Sequence, residues 1–365
     1  MVYVSSITLR WLSVAAILAT ATATSSWCAA SLSTELPTFR RLFTLVGDYP
    51  IGTATSRIDY ESLDLTAGRL YISKMGEGKL LVFDTGGKRL LNQVDGFPKI
   101  TGVLAVGELH RVYASVPGSG LASSVDVGLG MLGLSSGRGE IVVLDSNNLR
   151  VMARLPGGVF PDGLAYDPHD ARIFVSDEFG AAVIAIDVKS NRVLVRINAG
   201  GEVGNVQYDS VTQRAYVAVQ SRDELAVIDP AKLVLVGTDK IDGCHHPHGL
   251  AVAPTGMVGY VACDENDVLA TVDLLTMKVL HLLPVAHDPD VLVIDQSAQR
   301  LYVASESGNV SAFDVSNVRE PVSLGEVFVG GDAHSVAVDP ITHVLYFPIA
   351  DLDGHAAIRV LRPAN

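Results

Sequence analysis

The sequence predicts an all-β protein, a seven-bladed β-propeller of four-stranded antiparallel blades, and three observations carry that prediction. A short tetrad led by an aromatic residue recurs seven times: Tyr71-Ile72-Ser73-Lys74, Tyr113-Ala114-Ser115-Val116, Phe174-Val175-Ser176-Asp177, Tyr216-Val217-Ala218-Val219, Tyr260-Val261-Ala262-Cys263, Tyr302-Val303-Ala304-Ser305 and Tyr346-Phe347-Pro348-Ile349. The leading aromatics stand 42, 61, 42, 44, 42 and 44 residues apart, a period that suits one four-stranded sheet per repeat. Apolar runs of four to eight residues lie between turns rich in Gly, Asp, Pro and Asn, which is the pattern of strands rather than helices.

Composition agrees with a packed domain. Of 365 residues, 48% are hydrophobic and 18% charged, which excludes a disordered chain and a coiled coil. The 27 Lys and Arg against 40 Asp and Glu give a net charge of −13, with no basic cluster, so nucleic acid is not an expected partner.

Taken in chain order, residues 1–30 read as a secretory leader. Arg10 precedes an apolar stretch from Trp11 to Ala19, and small residues continue to Ala30, after which cleavage is expected. Residues 31–365 are then a single propeller domain, periplasmic or secreted. No later segment holds eighteen uninterrupted apolar residues, so no membrane span is expected in the mature chain. Arg40 to Val46 comes next and is expected to be the fourth strand of the last blade, because the chain ends soon after the third strand of that blade, near Ala357 to Leu361. Closing the ring with strands from both termini removes free sheet edges.

Within each repeat a small-apolar run such as Gly249-Leu250-Ala251-Val252 is the inner strand and the tetrad the second. A run ending in Asp, such as Val183-Ile184-Ala185-Ile186-Asp187, is the third, and one such as Arg192-Val193-Leu194-Val195-Arg196-Ile197 the fourth. Asp84, Asp145, Asp187, Asp229, Asp273 and Asp314 end third strands, while Asp167, Asp209, Asp295 and Asp339 follow inner strands. All ten are expected to cap turns. The long interval reflects 19 extra residues at about 116–138, between the second and third strands of blade 2. Its Gly, Leu and Met residues suit a lid or apolar contact surface beside the tunnel mouth, or a loop packed on the neighbouring blade.

The repeat register isolates the chemistry. Twelve residues before the seven aromatics stand Asp59, Thr101, Asp162, Gly204, His248, Asp290 and His334, where inner strands converge on one mouth of the tunnel. His248, His334, Asp290, Asp162 and Asp59 are candidate metal ligands, because imidazole and carboxylate together suit a divalent transition metal. Asp59, Asp162, Asp290 and Thr101 are candidate ligand-binding residues. Without a metal, a His beside an Asp is an oriented general base, and in a metal-dependent hydrolase or lyase His246, His287 or His334 is the candidate base beside metal-bound water or substrate. Turn capping is the competing reading for the aspartates, but it has no special use for histidine at the same register. Cys244 and Cys263 fall near the same mouth and are expected to form a disulfide in an oxidising compartment, two buried thiols being the alternative.

The tetrads and strand-terminal aspartates, over residues 40 to 361, resemble the YVTN-repeat, or YncE-like, seven-bladed propellers, although the namesake fourth residue, Asn, is absent from all seven copies. That resemblance implies a secreted or periplasmic binding propeller, with relatives that include lactonases, streptogramin lyases and metal carriers. No nucleotide-binding loop, Gly-x-Ser-x-Gly elbow or haem-attachment motif occurs. The expected function is therefore a monomeric exported binding protein holding a metal or small ligand at the mouth and presenting it to a protein partner on a propeller face. A metal-dependent, lactonase-like hydrolase or lyase and a metal-free interaction scaffold are the alternatives.

Overall fold

A computed structural model describes residues 38–364 except 40, 54, 131, 132, 136, 255 and 256. The expected leader and Arg40 lie outside the described residues. Seven four-stranded sheets follow one another as the blades of a propeller. In blade 5, for example, the strands run from the innermost Pro247–Val252 through Val258–Cys263 and Val268–Asp273 to the outermost Lys278–Pro284, each antiparallel to the next.

The last blade combines both ends of the chain. Its outermost strand is β1 (Phe43–Gly52), paired antiparallel with the C-terminal strand His355–Pro363. The closure is as expected, but the strand begins later than Arg40 and runs six residues past Val46. Gly47, Asp48 and Pro50 look like a turn in sequence; in the fold, register shifts at Leu45/Gly47 and Pro50/Gly52 absorb them within an edge strand, where proline costs no ladder bond. A paired ion bridge, Arg359 Nε and Nη2 donating to the two oxygens of Asp48 at 2.8 Å, fastens this join.

Apolar side chains form cores between adjacent blades. Leu70, Ile72, Leu81 and Phe83 of blade 1 pack with Ala356, Ile358 and Val360 of blade 7, and equivalent clusters recur around the ring. The seven tetrad aromatics are all buried in these clusters or beside them. The aspartates behave as their positions predict. Asp84 Oδ1 accepts from the N–H groups of Gly86 and Gly87, and Asp273 Oδ1 from those of Leu275 and Thr276. After inner strands, Asp167 and Asp209 do the same.

The insertion of blade 2 lies between strands Arg111–Val116 and Gly139–Asp145 and contains a helix, α1 (Gly120–Gly130). This helix packs against the 3-10 turn Glu178–Gly180 of blade 3. Gly130 lies so close that a Cβ there would sit 2.8 Å from Val159. Leu121 and Leu134 stay exposed, at 84% and 70%. No described helix is long and apolar enough to cross a membrane.

Cys244 and Cys263 are buried and joined as a disulfide, with Cα atoms 5.3 Å apart. The bridge ties the segment entering the inner strand of blade 5 to the end of its second strand. Cross-linking a loop of this length removes chain entropy equivalent to about 3 kcal/mol. Cys244→Ala/Cys263→Ala is therefore expected to lower unfolding free energy by about 3 kcal/mol, measured by chemical denaturation; a loss under about 0.5 kcal/mol would contradict this.

Candidate metal centre at the tunnel mouth

Two strand ends build the mouth in each blade. Where the inner strand begins, its first residues pair with the end of the second strand: Pro161 opposite Asp177, Pro247 opposite Cys263 and Pro289 opposite Ser305. The residue just after the tetrad is thereby set opposite the residue fourteen before the aromatic: the N–H groups of Glu178, Gln220, Asp264 and Glu306 donate to the carbonyls of Phe160, Glu202, His246 and Asp288. In blades 3 and 4 it opens a short 3-10 turn, Glu178–Gly180 or Gln220–Arg222, that closes on a left-handed residue, Ala181 or Asp223, each at φ 54°. Glu178, Gln220, Asp264 and Glu306 form this second ring in four consecutive blades.

Asp290, Glu306 and His334 each offer a ligand atom, and the three atoms lie within 4.8 Å of one another. His334 is 1% exposed. Its Nδ1 faces the Asp332 carbonyl at 3.1 Å and the Glu306 carboxylate at 3.6 Å, while Nε2 lies 3.5 Å from Asp59 Oδ1. His248 links this group to the neighbouring blades. Its Nε2 is 3.2 Å from Asp290 Oδ1, and its Nδ1 is 3.0 Å from Gln220 Oε1. Neither contact at His334 Nε2 or Asp290 Oδ1 has hydrogen-bond alignment, so both buried atoms lack a hydrogen-bond partner. Such orphans are costly unless a ligand or ion satisfies them.

Arg57 enters the same group from blade 1. Nη1 and Nη2 donate to the two oxygens of Glu306 at 3.2 and 2.7 Å, and the guanidinium lies 3.6 Å from Asp332 and 3.8 Å from Asp59. Tyr60, the next residue after Asp59, crosses the tunnel. Its hydroxyl donates to Asn205 Oδ1 at 3.1 Å and lies 3.3 Å from His248 Nε2, on blades 4 and 5 opposite its own. Gly204 completes the first ring without a side chain, since a Cβ there would lie 2.8 Å from the His248 carbonyl oxygen.

Charge is strongly coupled across the mouth. Burial disfavours the charged form of His248, but Asp290, then Asp162 and Glu178, override it and raise the imidazole well above its ordinary range. His334 is likewise raised against burial, by Asp332, Asp59 and Glu306. Burial also opposes the Glu306 anion, yet His334 and Arg57 hold its carboxyl down at about 2. Asp162 has no such cation bonded to it. Burial first, then the Asp59 charge, push it up to about 7. Glu178 is raised well above the usual carboxyl range by burial and then by Asp162. The mouth therefore holds more carboxyl groups than it can ionise together, which is an environment that favours a bound cation.

These shifts give a signed pH prediction. An unfolded Asp titrates near ~4, whereas native Asp162 titrates at about 7. Between these values the native state holds the extra proton, so its stability falls as pH rises, with the penalty complete above pH 7. Raised His248 and His334 act in the same direction: their stabilisation is full below about pH 6.5 and is lost as pH passes through their higher native values. In chelator, thermal unfolding is expected to show greater stability at pH 5 than at pH 8, and Asp162→Asn should flatten that difference. A wild-type profile that rises from pH 5 to pH 8 would contradict the reading.

The fold brings together Asp59, Asp290 and His334, with His248 adjacent through Asp290. Asp162 and Thr101 lie on the side of blades 2 and 3, where Thr101 Oγ1 donates to the Pro161 carbonyl at 2.7 Å. His246 forms a separate pair: Nδ1 is 2.8 Å from Asp264 Oδ1, and Nε2 is buried without a hydrogen-bond partner. His287 stands 73% exposed on the rim, 3.1 Å from Asp267, outside the ligand group. Glu306, Arg57, Tyr60 and Gln220 were not among the expected site residues. Counting four residues forward from each aromatic exposes Glu306 and Gln220, and the position after Asp59 carries an aromatic only in blade 1.

Fold and mouth together define a seven-bladed propeller with a His/carboxylate group at one end of its tunnel. Among solved structures, a chain of the Kuenenia stuttgartiensis hydrazine synthase is similar, with a TM-score of 0.67 and 14% sequence identity, over 82% of this chain and 94% of that one. At that identity the likeness concerns the fold. No family model matches the chain, and no curated protein matches it.

Proposed function

We propose that this propeller is an exported metal-binding protein that holds a divalent transition metal on Asp290, Glu306 and His334. The observation that carries the reading is the convergence of one imidazole and two carboxylates within 4.8 Å, with His334 Nε2 and Asp290 Oδ1 buried and lacking hydrogen bonds. One His and two carboxylates suit zinc, manganese, iron or nickel, and three protein ligands leave coordination positions for water or a small ligand. The His334 Nδ1 contact with the Asp332 carbonyl supports an orientation that leaves Nε2 for the metal, the usual arrangement of a ligating histidine. Asp59 and His248 flank the ligands and tune their charge. Export is supported by the buried disulfide, which fits an oxidising compartment, and by the leader-like residues 1–30. The tetrad resemblance to YVTN-repeat propellers supports a binding role, with the protein monomeric and the loaded face turned to a protein partner.

The second reading, a metal-dependent hydrolase or lyase acting on cyclic esters, rests on His246. Its Asp264 partner and unpartnered Nε2 give it the form of an oriented general base. Calorimetric titration of the metal-stripped protein with zinc separates these readings when lactone turnover is followed in parallel. One zinc bound at micromolar affinity or tighter, without turnover, is expected. Zinc-dependent turnover lost in His246→Ala would establish the enzyme, and no binding by wild type would leave a metal-free scaffold.

A further inference from the structure

The Arg57 side chain is a cation hydrogen-bonded directly to a member of the ligand group, Glu306. It occupies both oxygens of Glu306 through two separate nitrogens, so a metal cannot take that carboxylate without displacing at least one N–H donor. The same guanidinium faces Asp332 and Asp59. It comes from the connection leading into blade 1, whereas Glu306 belongs to blade 6, and its side chain is 38% exposed, which leaves it room to withdraw toward solvent. His334 Nε2 has no hydrogen-bond partner, the Asp59 carboxylate lying 3.5 Å away. The ligands are therefore unequal: at Glu306 a metal must displace a tethered guanidinium, whereas at the imidazole it displaces only a proton.

We propose that Arg57 is the specificity-determining residue of this metal site, a built-in competitor that rejects oxygen-seeking calcium and magnesium and admits ions that draw strength from imidazole, such as zinc. The proposal rests on the metal reading above. Calcium and magnesium bind through carboxylate charge and gain little from histidine, so a guanidinium locked on Glu306 opposes them most. Zinc gains from the nitrogen ligand as well and can displace the N–H donors. Arginine suits the task because its planar fork matches both carboxylate oxygens at once; lysine supplies the charge without the paired geometry.

The test is chelator-buffered titration of zinc and of calcium into wild-type protein, Arg57→Gln and Arg57→Lys, with thermal melting to verify folding. Arg57→Gln is expected to raise calcium affinity by about tenfold or more and zinc affinity by less, so that the preference for zinc shrinks. Arg57→Lys, which keeps the charge, should fall between the two and serves as the comparison if the Gln variant does not fold. Wild-type protein that binds zinc stoichiometrically, while both variants keep the same zinc-to-calcium preference within about twofold, would overturn the Arg57 role and leave the metal site standing. Absence of zinc binding in wild type and variants alike would overturn the site itself, and the Arg57 role with it.

Discussion

Replacing His334 with alanine is expected to weaken zinc binding by about a hundredfold or more, the largest effect of any single change at the mouth. Three features give it that weight. His334 is the only imidazole among the three described ligand residues, it is 1% exposed, and its Nε2 has no hydrogen bond to lose. Alanine removes the nitrogen that separates this site from a plain pair of carboxylates. It also removes the counter-charge of Asp59, Asp332 and Glu306, all within 3.6 Å of the ring, so some loss of stability accompanies it. His334→Gln fills more of the same volume and separates the two effects. Both variants, shown to be folded by circular dichroism, should lose zinc affinity in calorimetry; undiminished affinity in either would remove His334 from the ligand set.

The second large effect is structural. Phe43→Ala is expected to destabilise the protein by about 4 kcal/mol, as removal of a fully buried aromatic does. Phe43 opens β1, the strand that completes the last blade. Its ring packs 5.9 Å from that of Tyr302 in blade 6 and joins a cluster with Phe347 and Leu361. The substitution hollows out the interface between blades 6 and 7 at the point where the two ends of the chain meet, close in sequence to the Asp48–Arg359 join. A lower denaturation midpoint with unchanged slope is the expected readout. A change below about 1 kcal/mol would show that ring closure does not depend on this side chain.

The architecture was legible because it is written in repeats. The tetrad aromatic sits at one place in all seven blades and the Asp ending the third strand in six of them, so several weak signals added into one strong one. The closing strand was legible in its role but not its limits, because Gly47, Asp48 and Pro50 have turn chemistry that an edge strand tolerates through bulges. The helix α1 was not legible as a helix, since Gly120, Gly128 and Gly130 within eleven residues argue against one and its packing on blade 3 overrides that preference.

The site was legible in half. Asp290 and His334 emerged from the inner-strand register, whereas Glu306 lies in the second ring, displaced along the chain and brought alongside by the pairing of Pro289 with Ser305. Asp162, His248 and Asp59 share the register of the ligands, and Asp59 reaches His334 at 3.5 Å. His248 is turned to Gln220 and Asp290, and Asp162 remains among acids on the far side. Arg57 shares the register of His246, Asp288 and Asp332, but no other blade carries an arginine there. Its role depends on a reach from blade 1 to blade 6 that only the closed ring creates.

The most direct test of the central claim is anomalous X-ray diffraction at the zinc absorption edge from crystals of protein loaded with one equivalent of zinc. A single anomalous peak bonded to Asp290, Glu306 and His334, at about 2.0–2.2 Å from each ligand atom, is the predicted result. A peak placed elsewhere on the propeller, or none at the mouth in protein that is folded and loaded, would contradict it.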